Sequence, residues 1–276
     1  MIMLGILALS FSALILLDRL GPYHLIDFGA PNESEYAEEP TGPAPQPSAS
    51  STKTVVVPIL VYHIVRPSYP DDSAAVRAIA MTPEIFDAEL SHLQNSGYHV
   101  IGFHDLELYF ASSTPLPTNP IIISLDDGWH DQYEYAFPIL KAHRMTATFF
   151  IFTNAVGHRG FFSWSELQEV VASGMTIGDH SISHPFLTKI TDPKKLWGEI
   201  DGSKTLLEQK LNVPITEFAY PFGQYNADII ALVKQAGFLS ARGDYWSGAT
   251  QSSDHLYELS AINAPTTTAA FAKRFP

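Results

Sequence analysis

Two aspartates and a glycine, Asp126-Asp127-Gly128, follow directly on residues 121–125, Ile-Ile-Ile-Ser-Leu, a run apolar enough to be a strand covered on both faces. Successive side chains on a strand diverge, so the two carboxylates point differently: one can hold a cation while the other faces substrate or water. Gly128 permits the sharp turn this requires. Acidic residues at strand ends also serve as helix caps, so the pair gains meaning only from what meets it. His180 and His184 stand four apart in His-Ser-Ile-Ser-His-Pro, directly after the apolar stretch 175–178. They converge on one helical face or within a turn. Neutral imidazoles are common ligands for zinc-like metals, and Asp127 with His180 and His184 makes a three-ligand set with a position left for water, the mark of a catalytic site. Asp179 adjoins His180 either as an acceptor that orients an imidazole or as a solvated acid.

Two further segments end at the same rim. Residues 218–223, Phe-Ala-Tyr-Pro-Phe-Gly, supply an aromatic wall and rigid backbone donors, with Tyr220, Pro221 and Phe222 as candidate substrate contacts; a plain connection to the next helix is the alternative. His63 closes the run Val-Pro-Ile-Leu-Val-Tyr at 57–62, and it is a candidate general acid if it reaches the metal rim.

The elements that must position these residues are short apolar runs alternating with amphipathic stretches. Strands are expected at 55–62, 98–102, 121–125, 147–152, 175–178, 217–220, 238–241 and 257–262. Helices are signalled by Thr82-Pro83 ahead of Phe86, Leu90 and Leu93, by the capping box Ser163-Trp164-Ser165-Glu166, and by Asn226 ahead of Ile229, Ile230 and Val233. Such β/α alternation implies a parallel sheet with right-handed crossovers. The expected fold is α/β, a distorted (β/α) barrel of seven or eight parallel strands forming a single catalytic domain, with its chemistry at the strand C-terminal ends. A doubly wound open sheet is the alternative.

The 276 residues include 16 Lys and Arg against 29 Asp and Glu, a formal charge of −13, and no Cys. That charge disfavours nucleic acid as partner, since phosphate binding needs clustered cations. Without Cys there is no disulfide scaffold, Cys-ligated metal or thiol catalysis. Residues 1–17 carry no charge, and Asp18 and Arg19 close the run. This is the short limit for a membrane-spanning helix, so residues 1–19 are expected to be a membrane anchor, a cleaved signal segment being the alternative. Residues 20–54 read as a disordered acidic Pro/Ser-rich linker, which leaves 55–276 as the domain.

With these motifs in place, the chain resembles the polysaccharide deacetylase (NodB-homology) family over about residues 55–270. The resemblance is carried by Ser124-Leu125-Asp126-Asp127-Gly128, by His180 to His184 and by Ala219-Tyr220-Pro221-Phe222-Gly223. The leading Ile59-Leu60-Val61-Tyr62-His63 and the Phe-Ala-Tyr-Pro-Phe-Gly form of the third motif look most like the subgroup acting on poly-β-1,6-N-acetylglucosamine. The resemblance implies Asp126 as general base, and Asp127, His180 and His184 as ligands of a divalent metal, zinc before cobalt or nickel. It also implies that the backbone N–H of Phe222 helps polarise the acetyl oxygen and that His63 is the general acid. The resemblance implies an arginine partner for Asp126, yet neither the third motif nor Leu259-Ser260-Ala261-Ile262 contains one, so it has to come from elsewhere in the chain, Arg242 being one choice among the remaining arginines. The implied activity is removal of N-acetyl groups from a hexosamine polysaccharide of the cell envelope or exopolysaccharide, by a domain tethered outside the membrane or secreted. The alternatives are an O-acetyl esterase on another glycan and, because of the missing arginines, an inactive glycan-binding module.

Overall fold

The computed structural model describes residues 52–243 and 248–276. The anchor expected at 1–19 and nearly all of the linker at 20–54 lie outside the described residues. No helix among the described residues is long and apolar enough to cross a membrane. The strands are β1 (Thr54–Val56), β2 (Ile59–Tyr62), β3 (Ile64–Val65), β4 (Ala80–Met81), β5 (His99–Val100), β6 (Pro120–Leu125), β7 (Thr148–Ile151), β8 (Thr176–Asp179), β9 (Glu217–Ala219), β10 (Ser240–Arg242), β11 (Thr250–Ser252) and β12 (Ile262–Asn263).

Seven strands form one curled sheet in the order β10-β9-β8-β7-β6-β2-β12, every adjacent pair parallel, and β5 adds to the start of β6. The order follows the chain cyclically from β2 through β6 to β10 and back to β12. It lacks the reversal that defines a doubly wound sheet, so the distorted barrel is the fold that forms. At the seam, Leu259 bridges Arg242 while β12 pairs with β2.

Period-two alternation sorts the side chains. Leu60, Ile123, Leu125, Phe149, Ile151, Ile177 and Phe218 pack outward in the larger core, shared with helices such as Pro83–Asn95, Trp164–Ala172 and Ala227–Gln235. Ile59, Val61, Ile122, Phe150 and Ala219 pack together with Phe103, Leu106 and Phe110 of the helix Phe103–Ser112. The expected helix starts are made by the expected chemistry: Thr82 accepts from the Ile85 N–H, Ser163 and Glu166 cap reciprocally, and Asn226 accepts from the Ile229 N–H.

The run 55–62 is not one strand. Pro58 cannot donate to a ladder, so the chain breaks there, and β1 leaves the main sheet to pair antiparallel with β11. Thr54, read as linker, is the first residue of β1. The strand expected at 257–262 is largely irregular; only its end enters a ladder, as β12, while the bridge at Leu259 holds its middle.

Gly178 in β8 is a packing requirement: a Cβ there would sit 2.4 Å from the Phe150 ring. That ring meets Phe103 edge-on at 5.6 Å and carries the Arg242 guanidinium 4.5 Å from its centroid. Gly178→Ala is therefore expected to displace Phe150 and destabilise the domain by about 1–3 kcal/mol, the usual cost of overpacking, read as a lower urea midpoint at unchanged slope.

Glu89, on the helix Pro83–Asn95, is buried against β2 and accepts from the Tyr62 hydroxyl at 3.1 Å. Burial pushes its carboxyl up to about 8, the Tyr62 bond opposing only in part. Burial, together with nearby Glu107, likewise pushes Glu217 up to about 7. A carboxyl with a raised folded-state pKa stabilises the fold below its unfolded pKa, and that stability is lost as pH rises through the folded value. The melting temperature is expected to fall between about pH 5 and pH 8, and Glu89→Gln, which keeps an acceptor for Tyr62, should flatten that slope. A steeper slope in the variant would contradict this assignment.

Candidate active site

The C-terminal ends of β2, β6, β8, β9 and β10 bring His63, Asp126, Asp127, His180, Phe222 and Arg242 to one rim. Donor atoms of Asp127, His180 and His184 all lie within 4.8 Å of one another, and all three residues are buried. Asp127 Oδ1 is 3.4 Å from His184 Nε2 and 3.7 Å from His180 Nε2, and the two ring nitrogens are 3.1 Å apart.

Each donor is oriented by a partner. The Trp129 indole N–H donates to Asp127 Oδ2 at 3.0 Å, which leaves Oδ1 toward the imidazoles. His180 Nδ1 lies 2.6 Å from the Ala219 carbonyl oxygen, a contact that requires an N–H, so Nε2 carries the lone pair. Burial holds the His180 imidazole below its ordinary pKa, and burial with neighbouring His180 takes His184 down to about 4. Both rings are therefore neutral ligands near neutral pH. Burial pushes Asp127 upward, but His184, His63, His180 and the Trp129 bond outweigh it and keep the carboxylate below its ordinary range. Two neutral imidazole nitrogens and one ionised oxygen fit a divalent cation such as zinc.

Local sequence explains the convergence. His180 and His184 meet through a turn, not a helix: Asp179 Oδ1 accepts the Ser181 N–H at 2.8 Å and Ser181 Oγ accepts the His184 N–H at 3.0 Å. Glu199 takes both the N–H and the hydroxyl of Ser183, at 2.8 and 2.6 Å. Asp179 thus neither orients an imidazole nor meets solvent. It is fully buried and shapes the turn, and burial raises its pKa well above the usual range. Four residues at the rim sit in left-handed backbone, Asp127 (φ 74°), Ser181 (φ 70°), His184 (φ 53°) and Phe222 (φ 59°). Each such non-glycine conformation costs on the order of 1–3 kcal/mol, and such strain gathers at functional sites.

Asp126 lies outside the trio but close enough for its charge to act on His180 and His184. Its Oδ1 accepts from Arg242 Nη2 in a fully buried ion pair, and its Oδ2 lies 3.9 Å from His63 Nε2. The candidate arginine therefore comes from the end of β10, immediately before Gly243, and not from either motif position expected to hold one. His63, one residue past β2, is slightly exposed beside Asp126.

Of the third motif, Phe222 reaches the site: its ring centroid is 4.5 Å from that of His184 and stacks at 3.9 Å on Phe186. Pro221 opens the turn, in which the Gly223 and Gln224 N–H groups are spent on the Tyr220 and Pro221 carbonyls. Tyr220, expected as a substrate contact, is instead in the outer core. Strand alternation turns it away from Ala219, its hydroxyl donates to the Tyr257 carbonyl at 3.0 Å, and its ring packs on Tyr225. The sequence reading missed Trp129 and Gln132. Their nearness to Asp126-Asp127-Gly128 was the available signal, because residues just past a strand-end motif fold back over it.

The polysaccharide deacetylase family model matches residues 113–241, which takes in Asp126, Asp127, His180, His184 and Phe222 and stops one residue before Arg242. The chain is 26% identical over 186 residues to YxkH of Bacillus subtilis, whose name places it among polysaccharide deacetylases; the match covers 67% of this chain and 63% of YxkH. It is 25% identical over 199 residues to the poly-β-1,6-N-acetyl-D-glucosamine N-deacetylase of Staphylococcus aureus (strain MRSA252), covering 64% of this chain and 68% of that one. Among solved structures, the Streptococcus pyogenes deacetylase PplD in complex with acetate superposes with a TM-score of 0.70 at 23% identity, over 78% of this chain and 94% of PplD. IcaB from Ammonifex degensii gives 0.68 at 22% identity, over 80% and 97%. At these identities the structural matches speak for the fold.

If the trio holds the cation and Asp126 does not, Asp127→Asn and His180→Ala should lose most bound zinc when measured by elemental analysis after dialysis. Asp126→Asn should keep near-stoichiometric metal. Equal loss in all three variants would contradict the division between the two carboxylates.

Proposed function

We propose, from the family model matched over residues 113–241 and the likeness to YxkH and the Staphylococcus aureus N-deacetylase, that the chain is a polysaccharide deacetylase (NodB-homology) and that it hydrolyses N-acetyl groups on a hexosamine polysaccharide of the poly-N-acetylglucosamine kind. One observation carries the reading: a buried Asp127-His180-His184 trio beside an Asp126 held by Arg242. When bound, a divalent metal, zinc by this donor set, supplies Lewis-acid polarisation and acidifies water.

The chain's own groups do the rest. Asp126 accepts the proton of the attacking water, and the Arg242 ion pair keeps its carboxylate ionised and fixed. The Phe222 backbone N–H, presented by a left-handed turn, donates to the acetyl oxygen as negative charge develops there. His63 protonates the amine nitrogen as the C–N bond breaks, from a position beside the base. Phe222 and Phe186, stacked at 3.9 Å, offer an apolar wall to one side of the trio. The alternative of an inactive glycan-binding module was motivated by a missing arginine. Arg242 occupies that role here, which favours the enzyme. We place residues 1–19 as a membrane tether and 20–52 as a spacer, so that the domain, which begins at Lys53, works outside the membrane at the cell envelope.

Acetate release from poly-N-acetylglucosamine and from acetylated xylan, with and without chelator, tests the reading. Chelator-sensitive release from the amide substrate at the higher kcat/KM is expected, with Asp126→Asn reducing it by about a hundredfold or more, the contribution of a general base. Preferential release from xylan would make the chain an esterase. Glycan binding without release would make it an inactive module.

A further inference from the structure

We infer that Gln132 is a positioning residue for the general acid, acting by clamping the strand exit that carries His63. The inference rests on the deacetylase reading above, in which His63 delivers a proton to the leaving amine. Gln132 is fully buried and opens the π-helical turn Gln132–Ala136, six residues past Asp126. Its side-chain amide has two N–H donors, and both are used on the rim: one on the His63 carbonyl at 2.7 Å, the other on the Asp126 carbonyl at 2.5 Å. A single side chain thus ties the ends of β2 and β6 together at the two residues assigned to acid and base.

The chemistry of the site demands an amide. With the group turned over, its oxygen would face two carbonyl oxygens, so the donor assignment follows from the surroundings. In the orientation that forms, Gln132 Oε1 is buried with no hydrogen-bond partner. An apolar residue of the same bulk would avoid that cost but would leave the His63 and Asp126 carbonyls without these two donors, so the amide is kept for the clamp. The π-turn is a second sign, because such one-residue insertions into helices concentrate at functional sites.

The two clamped residues do not depend on Gln132 equally. Asp126 is held independently, its N–H donating to the Tyr62 carbonyl at 2.9 Å and its carboxylate paired with Arg242. His63 is partly exposed, and its ring lies 3.9 Å from the Asp126 carboxylate, beyond hydrogen-bond distance. Losing the clamp should therefore displace the acid more than the base. An amine leaving group needs that acid, because the C–N bond cannot release nitrogen without a proton. An aryl ester such as p-nitrophenyl acetate does not, since p-nitrophenolate leaves unprotonated.

The test compares turnover of N-acetylglucosamine oligomers and of p-nitrophenyl acetate by metal-loaded wild type, Gln132→Met and Gln132→Asn, with His63→Ala as reference. The expected result is a ratio of amide to aryl-ester kcat lowered about tenfold or more in the Gln132 variants, in the direction of His63→Ala, with amide KM and bound zinc unchanged; ångström-scale misplacement of a catalytic group has effects of this order. Gln132→Asn keeps two donors on a shorter side chain, and it serves where Gln132→Met folds poorly. An unchanged ratio overturns the inference. So does parallel loss of both activities with the metal in both variants, which would make Gln132 a structural residue only. Failure of the wild-type chain to hydrolyse the amide at all would remove the deacetylase reading, and this inference with it.

Discussion

Two imidazole nitrogens 3.1 Å apart and a carboxylate oxygen within 4 Å of both, all buried, gather three metal-ligand atoms in a medium that screens charge poorly. The two rings can share an N–H until a cation takes its place, and the surrounding structure is arranged to hold the three donors together. Trp129 fixes one carboxylate oxygen so that the other must face the rings. The Ala219 carbonyl fixes the His180 tautomer. Asp179, Ser181 and Glu199 close the turn that returns His184 to His180. Left-handed backbone at Asp127, Ser181 and His184 adds conformational cost for which the outer core of the barrel must compensate.

Two carboxylates adjacent in sequence are kept in different electrostatic settings by the divergence of a strand end. Asp127 turns into the imidazole pocket, whereas Asp126 turns to a fully buried guanidinium. Removing one partner of such a pair leaves a buried charge uncompensated, typically at about 3–5 kcal/mol, so the arginine must be supplied somewhere. It comes from the end of β10, seated over Phe150, whose ring has room only because β8 carries glycine at 178. Asp126, its arginine partner and the packing of the inner face are therefore one connected arrangement.

Much of this was legible in the residues. The parallel sheet followed from the apolar run at 121–125 and its neighbours, and the helix starts from Thr82, Ser163 and Asn226, because capping chemistry is local. The metal trio and the carboxylate beside it followed from residue type at strand ends. What escaped depends on tertiary partners. Tyr220 is one residue from Ala219, and only the sheet's alternation shows that it faces the outer core while Phe222, past the turn, comes back to the site. Two-residue strands such as Ile64–Val65 and Ala80–Met81 are too short to display a period. The run 55–62 looked continuous because apolarity outweighed Pro58 in the reading, although proline decides the ladder. The assignment of Arg242 to Asp126 needed a contact spanning 116 positions, which no local pattern encodes.

The central claim is that one divalent cation sits among Asp127, His180 and His184 and not on Asp126. Anomalous diffraction at the zinc absorption edge, from crystals grown with zinc, tests it directly. A single peak about 2.0–2.2 Å from an Asp127 oxygen and from both Nε2 atoms is predicted, with Asp126 still paired to Arg242. A peak ligated by Asp126, or none at the trio under saturating zinc, would contradict the account.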